Sequence, residues 1–173
     1  MMSLDSVFIE KNRTLISILD DKNSVYDSTL QSLFGSINRY GTFYPQKGGY
    51  ESLKSSGLGI LKSDSLRADI VNLYDYQYGY VLETLDLKKQ IYINTNGVFV
   101  NELKSTGGPD MKSVSYKEPI NFEELKVNSN FKNQLSHLYY ERINLLEFSN
   151  NTLLEMQKTK ENIANEIEMN SNN

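Results

Sequence analysis

The feature that most restricts the fold is the apolar spacing near the end of the chain. From about Asn130 to Met169, Phe131, Leu135, Leu138, Leu145, Leu146, Leu153, Met156, Ile163 and Ile167 follow the three-to-four interval of one face of an α-helix. Forty such residues would span roughly 60 Å. A stripe of that length is covered by other helices. The expectation is an all-α fold, an elongated antiparallel bundle of about four main helices plus short ones.

The rest of the chain agrees with that reading. Leu4, Phe8, Leu15, Ile18 and Leu19 predict a helix over residues 3–19. Residues 20–24 break it, and Asn23 or Ser24 is the expected cap of a second helix, because a short side-chain oxygen satisfies free backbone N–H groups. Val25, Tyr26, Leu30, Leu33, Phe34 and Ile37 then form its stripe, a single helix bent near Asp21 being the alternative. Residues 41–49, with Pro45, Gly48 and Gly49, read as a loop. Ser63 or Asp64 caps a helix through Leu66, Ile70 and Leu73. Its continuation is ambiguous. Gln77, Tyr80, Thr84, Leu87 and Ile91 keep the helical interval, whereas residues 91–100 alternate around Asn96-Gly97, a strong hairpin signal. Few other strand candidates exist and a lone hairpin is marginal, so helix is preferred. Residues 105–120 read as a loop broken at Thr106–Asp110, and Asn121 caps a short helix to Val127. Residues 1–173 form one helical domain without internal repeats, with residues 170–173 frayed.

Composition excludes more than it assigns. With no cysteine, disulfides, thiolate metal sites and cysteine nucleophiles are ruled out. The single histidine, His137, stands four residues before Glu141 and lacks the second histidine of a metalloprotease helix. No Gly-x-Ser-x-Gly elbow or phosphate-binding loop occurs, and Gly57-Leu58-Gly59 lacks the third glycine of a dinucleotide fingerprint. A net charge of −4 argues against nucleic acid as a partner. Residues 141–168 carry six acidic and three basic side chains, read as a solvated helix face. No catalytic residue, metal ligand or cofactor is expected.

Tyr74, Tyr76, Tyr78 and Tyr80 are the most unusual run. They form a candidate binding surface for a protein or sugar. On a helix they also make two i,i+4 pairs, 74 with 78 and 76 with 80, with rings on the core edge.

One segment resembles a known family. Phe43-Tyr44-Pro45, Tyr50-Glu51-Ser52-Leu53-Lys54-Ser55-Ser56-Gly57, Leu61-Lys62-Ser63-Asp64-Ser65-Leu66-Arg67 and Tyr74 are similar to a motif of uncharacterised, single-pass membrane-anchored helical proteins of Bacteroidota. Those proteins carry a Thr-Tyr-Glu-Glu-Leu-Lys-Ser-Ser-Gly segment and a Leu-Arg … Tyr-Tyr helix. Here Gly49 replaces the threonine, Ser52 the second glutamate, and Asp75 the second tyrosine. The core motif covers about 35 residues, roughly a fifth of the chain. The resemblance implies anatomy and no chemistry: a membrane helix encoded ahead of residue 1 and, by the positive-inside rule, a domain on the extracytoplasmic side of an inner membrane. A soluble cytoplasmic protein is the alternative. In the motif, Tyr50 and Leu53 would dock a short turn, Ser55 and Ser56 would bond free carbonyls, and Gly57 would reverse the chain with positive φ, a structural clasp; the alternative is a ligand loop in which exposed Tyr50, Glu51 and Lys54 bind. Leu53 is expected to be buried. The functional expectation is a non-enzymatic sensing or protein-interaction domain, with a protein partner or a second copy. A small-molecule sensor with a tyrosine-lined pocket is the alternative, and an enzyme comes last.

Overall fold

The computed structural model describes residues 4–37, 44–107 and 116–171, of which 81% are helical. The fold is all-α apart from one two-stranded sheet. Phe43 of the motif, the 108–110 part of the expected break, and the last two residues of the expected frayed tail lie outside the described residues.

Helix α1 is Leu4–Asp20. The Ser24 hydroxyl donates to the carbonyls of Ile18 (2.6 Å) and Asp21 (2.8 Å), so it closes α1 and does not open the next helix. The expected cap is therefore corrected to Asp27, whose carboxylate accepts from the Thr29 N–H at 2.7 Å. Asp27 opens a 3₁₀ turn, Ser28–Leu30, that leads into α2, Gln31–Phe34. The second helix is thus much shorter than expected, and Val25 is exposed.

Helix α3 is Gly48–Ser56 and α4 is Asp64–Val71, joined through a 3₁₀ turn at Leu58–Ile60. Ser63 caps α4 by accepting from the Leu66 N–H at 3.2 Å. A π-helical segment, Asn72–Gln77, then runs without a break into α5, Tyr78–Glu102. Residues 91–100 are therefore helix. An Asn-Gly hairpin turn needs positive φ at the glycine, and among the described residues only Gly57 and Gly107 have it. The local turn signal is overridden by burial: Phe99 is fully buried, with Ile91 and Val98 against the same core.

The strands β1, Leu103–Ser105, and β2, Lys117–Pro119, pair antiparallel with Leu103 opposite Pro119. They correct the reading of 105–120 as loop throughout. Three residues each, one of them Lys-Glu-Pro, are too few to give a visible alternation. Helix α6 is Phe122–Val127, capped by Asn121, which accepts from the Glu124 N–H at 3.3 Å. Helix α7, Ser129–Ser171, has 43 residues and runs past the expected end at Met169.

The chain divides into two compact units. The first comprises Met1–Gly41 and Leu87–Leu146. Leu15, Phe34, Phe99, Leu125, Phe131 and Leu135 are fully buried in its core, and Phe99 meets Phe131 edge-on at 5.2 Å. Buried Arg142 donates to the carbonyls of Ser36 (3.2 Å) and Ile37 (2.9 Å), just beyond α2. Glu118 on β2 takes Lys104 at 2.8 Å, Gln31 at 3.2 Å and the Tyr26 hydroxyl at 3.4 Å, fastening the hairpin to α2. The second unit comprises Thr42–Asp86 and Glu147–Asn173, with a smaller core of Tyr50, Leu66 and Ile70.

Candidate functional site

The motif residues assemble in the second unit around Tyr50. Tyr50 is buried on α3, and its ring stacks on Tyr74 at 4.5 Å and 10°. Tyr74 meets Tyr78 edge-on at 5.0 Å. The Tyr50 hydroxyl donates to Asp75 at 2.9 Å, Lys54 reaches the same carboxylate at 3.2 Å, and the Lys54 ammonium stands 5.1 Å from the Tyr50 ring centre. Leu66 is buried behind the stack, while Leu53 is half-buried rather than buried.

The corner after α3 is closed by its own side chains. Ser55 and Ser56 both donate to the Ser52 carbonyl at 2.9 Å. Gly57 has φ 90° and ψ 122°, and its N–H reaches the Lys54 carbonyl at 3.3 Å. L side chains are strained there whatever space surrounds them. Arg67 donates to the Leu61 carbonyl at 2.5 Å and pairs with Asp64. Glu166 on α7 accepts from the backbone N–H groups of Lys62 (2.8 Å) and Ser63 (3.4 Å), a carboxylate at the start of α4 where the helix dipole favours one. Glu166 is buried, so the solvated reading of the acidic segment is corrected at this position.

The π segment decides which tyrosines face inward. A π turn holds about one residue more than an α turn. The buried line runs Leu66, Ile70, Leu73 and then, after a step of five, Tyr78 and Val81. The expected seam through Gln77, Tyr80, Thr84 and Leu87 is displaced by that one residue, leaving Tyr80 and Leu87 exposed. The four tyrosines therefore divide: Tyr78 is buried and Tyr74 half-buried, meeting edge-on, while Tyr76 and Tyr80 are 69% and 55% exposed. Tyr80 rests on Phe148 of α7 at 4.3 Å.

Comparison with known protein families, curated proteins and solved structures yields no match.

These contacts fasten α3 to the π segment. The Tyr50 hydroxyl, and less strongly Lys54, hold Asp75 below the usual carboxylate range. Burial, together with Asp75, pushes the Tyr50 phenol up, and the bond to Asp75 raises Lys54. His137 is exposed on α7, and among the described residues no three His, Cys, Asp or Glu side chains are grouped to hold a metal. A cavity of about 20 Å³ between Leu19 of α1 and Leu135 of α7 has room for one water. No helix among the described residues is long and apolar enough to cross a membrane.

Sequence reasoning singled out the tyrosines, Gly57 and Arg67. It missed the roles of Asp75, Lys54 and Glu166. The available signal for Asp75 was its place beside Tyr74, one residue into the tyrosine run, where it supplies the acceptor for Tyr50. Glu166 gave no local signal, because its partners are more than a hundred positions away in sequence.

Proposed function

We propose that the chain is a non-enzymatic protein-interaction domain, held on the extracytoplasmic side of an inner membrane by a helix encoded ahead of it. The observation that carries the interaction reading is the outward pair Tyr76 and Tyr80 beside an internally locked tyrosine stack. Tyrosine has few rotors and a large amphipathic surface, so covering it costs little entropy. A rigid backing lowers that cost further, and such residues are favoured anchors at protein interfaces. The small-molecule reading has less behind it, because Tyr50, Tyr74 and Tyr78 already use their ring faces and edges on one another. The membrane placement is supported by the motif resemblance.

The test is a photo-crosslinking phenylalanine analogue at Tyr76 in the full-length protein in its own cells, with the same group at exposed Glu51 as control. Adducts are expected at 76, absent at 51 and lost on Tyr80→Ala. Equal labelling at both positions would end the interaction reading. The placement is tested on the gene: an apolar stretch of about twenty residues is expected upstream, and its absence would remove the membrane assignment.

A further inference from the structure

The register of the hairpin in the first unit turns one lysine to the core side. Lys104 lies opposite Glu118 and pairs with it at 2.8 Å. Side chains alternate along a strand, so the flanking pairs, Leu103 with Pro119 and Ser105 with Lys117, project from the other face. Leu103 and Pro119 are buried there, and Leu103 belongs to the core of the unit. Lys117 is thus a half-buried amine beside two buried apolar side chains, with Ser105 opposite.

No charge answers it. The charged residue of β1, Lys104, is on the opposite face with Glu118, and α2, which packs on β2, has none. Among the described residues the Lys117 amine has no ion-pair or hydrogen-bond partner. Lys126, by contrast, is covered but gives its ammonium protons to the carbonyls of Lys22 and Ser24 at 2.8 Å. Burial pushes the Lys117 amine below the usual lysine range, whereas the bond to Glu118 raises Lys104. A lysine desolvated in this way holds more of the neutral, nucleophilic form.

The same surroundings select the product. A protonated imine, an alkylated amine or a carbamate would leave a charge on the nitrogen or beside it, and a half-buried apolar face disfavours charge. An amide ends neutral and leaves the side-chain stem in place. We propose that Lys117 is a modification site whose amine accepts the acyl group of a small acyl phosphate. The nitrogen lone pair attacks the carbonyl carbon, the carbon–oxygen bond to phosphate breaks, and the amine proton leaves with the phosphate as hydrogen phosphate. The site shares no residue with the Tyr76 and Tyr80 surface, so the two readings stand or fall separately.

The full chain is treated briefly with acetyl phosphate at mildly alkaline pH, folded and in concentrated urea, and acetylation at Lys117 and Lys104 is followed by peptide mass spectrometry. The Lys104 side chain is 62% exposed, so access alone favours it. Lys117 is nonetheless expected to react several-fold faster in the folded chain, and the two should become equal in urea. A folded chain in which Lys117 reacts no faster than Lys104 would overturn the proposal. So would an advantage that persists in urea, because it would come from the sequence neighbours and not from the fold. Two variants read the surroundings without the reagent. Lys117→Met removes the charge and keeps a flexible stem, and Lys117→Arg makes the charge permanent. The methionine variant should unfold at the higher urea concentration, and the reverse order would mean that this face accepts a charge and would overturn the choice of a neutral product.

Discussion

Replacing Gly97 by alanine tests the helix over residues 91–100 through the sign of the result. Gly97 is exposed in the interior of α5, without positive φ, and a Cβ there would meet nothing within 4 Å. The substitution therefore adds no clash and buries nothing. What remains is the backbone: glycine loses more conformational freedom than alanine on entering a helix, so Gly97→Ala should stabilise by about 0.5–1 kcal/mol. In a chain of this size 1 kcal/mol corresponds to roughly 2–4 °C in melting temperature. Had Asn96-Gly97 formed a hairpin turn, Gly97 would carry positive φ, and alanine would cost about 1–3 kcal/mol. Gly57→Ala is the internal control. Its surroundings are equally open, but φ is 90°, so it should destabilise by about 1–3 kcal/mol. Urea unfolding followed by far-UV circular dichroism measures both, with the slope examined as well as the midpoint, because two compact units need not unfold in one step. A Gly97→Ala midpoint lowered as far as that of Gly57→Ala would refute the helix.

Two further outcomes follow from the second unit. Asp75 titrates below the ordinary aspartate range in the folded chain, so its bond to Tyr50 contributes stability above about pH 4 and loses it as the pH falls further. Acid unfolding curves of Asp75→Asn should be flatter there than those of the parent, and identical acid limbs would remove the lock. Deleting Gln77 should convert the π segment to α-helix and restore a step of four between Leu73 and the next buried tyrosine. The variant should fold with undiminished helical circular dichroism, whereas loss of folding would mean that the extra residue does more than set phase.

How much was legible depends on the range of the interactions involved. Helix α1, the caps Ser63 and Asn121, the glycine at the end of α3 and the long α7 were readable because each rests on residues within a turn or two. The cap at Asp27 was misplaced because Ser24 has the same capping chemistry, and only its bonds to Ile18 and Asp21 assign it to the preceding helix. The tyrosine run read as two i,i+4 pairs on one helix, 74 with 78 and 76 with 80. Which pair turns inward was set by the π segment, where the helix shifts its inward face by a residue.

By itself, then, the sequence determined that the chain is helical, where α1, α6 and α7 run, and that Gly57 turns the chain after α3. Backbone propensity, capping and side-chain periodicity act over a few neighbouring residues and can be read there. Only the tertiary structure decided that Tyr78 turns in while Tyr80 turns out, that Asp75 receives Tyr50 and Lys54, and that Glu166 is buried against Lys62 and Ser63. Those outcomes depend on which distant surface arrives to desolvate or bond each group, and burial by a partner far along the chain leaves no local mark.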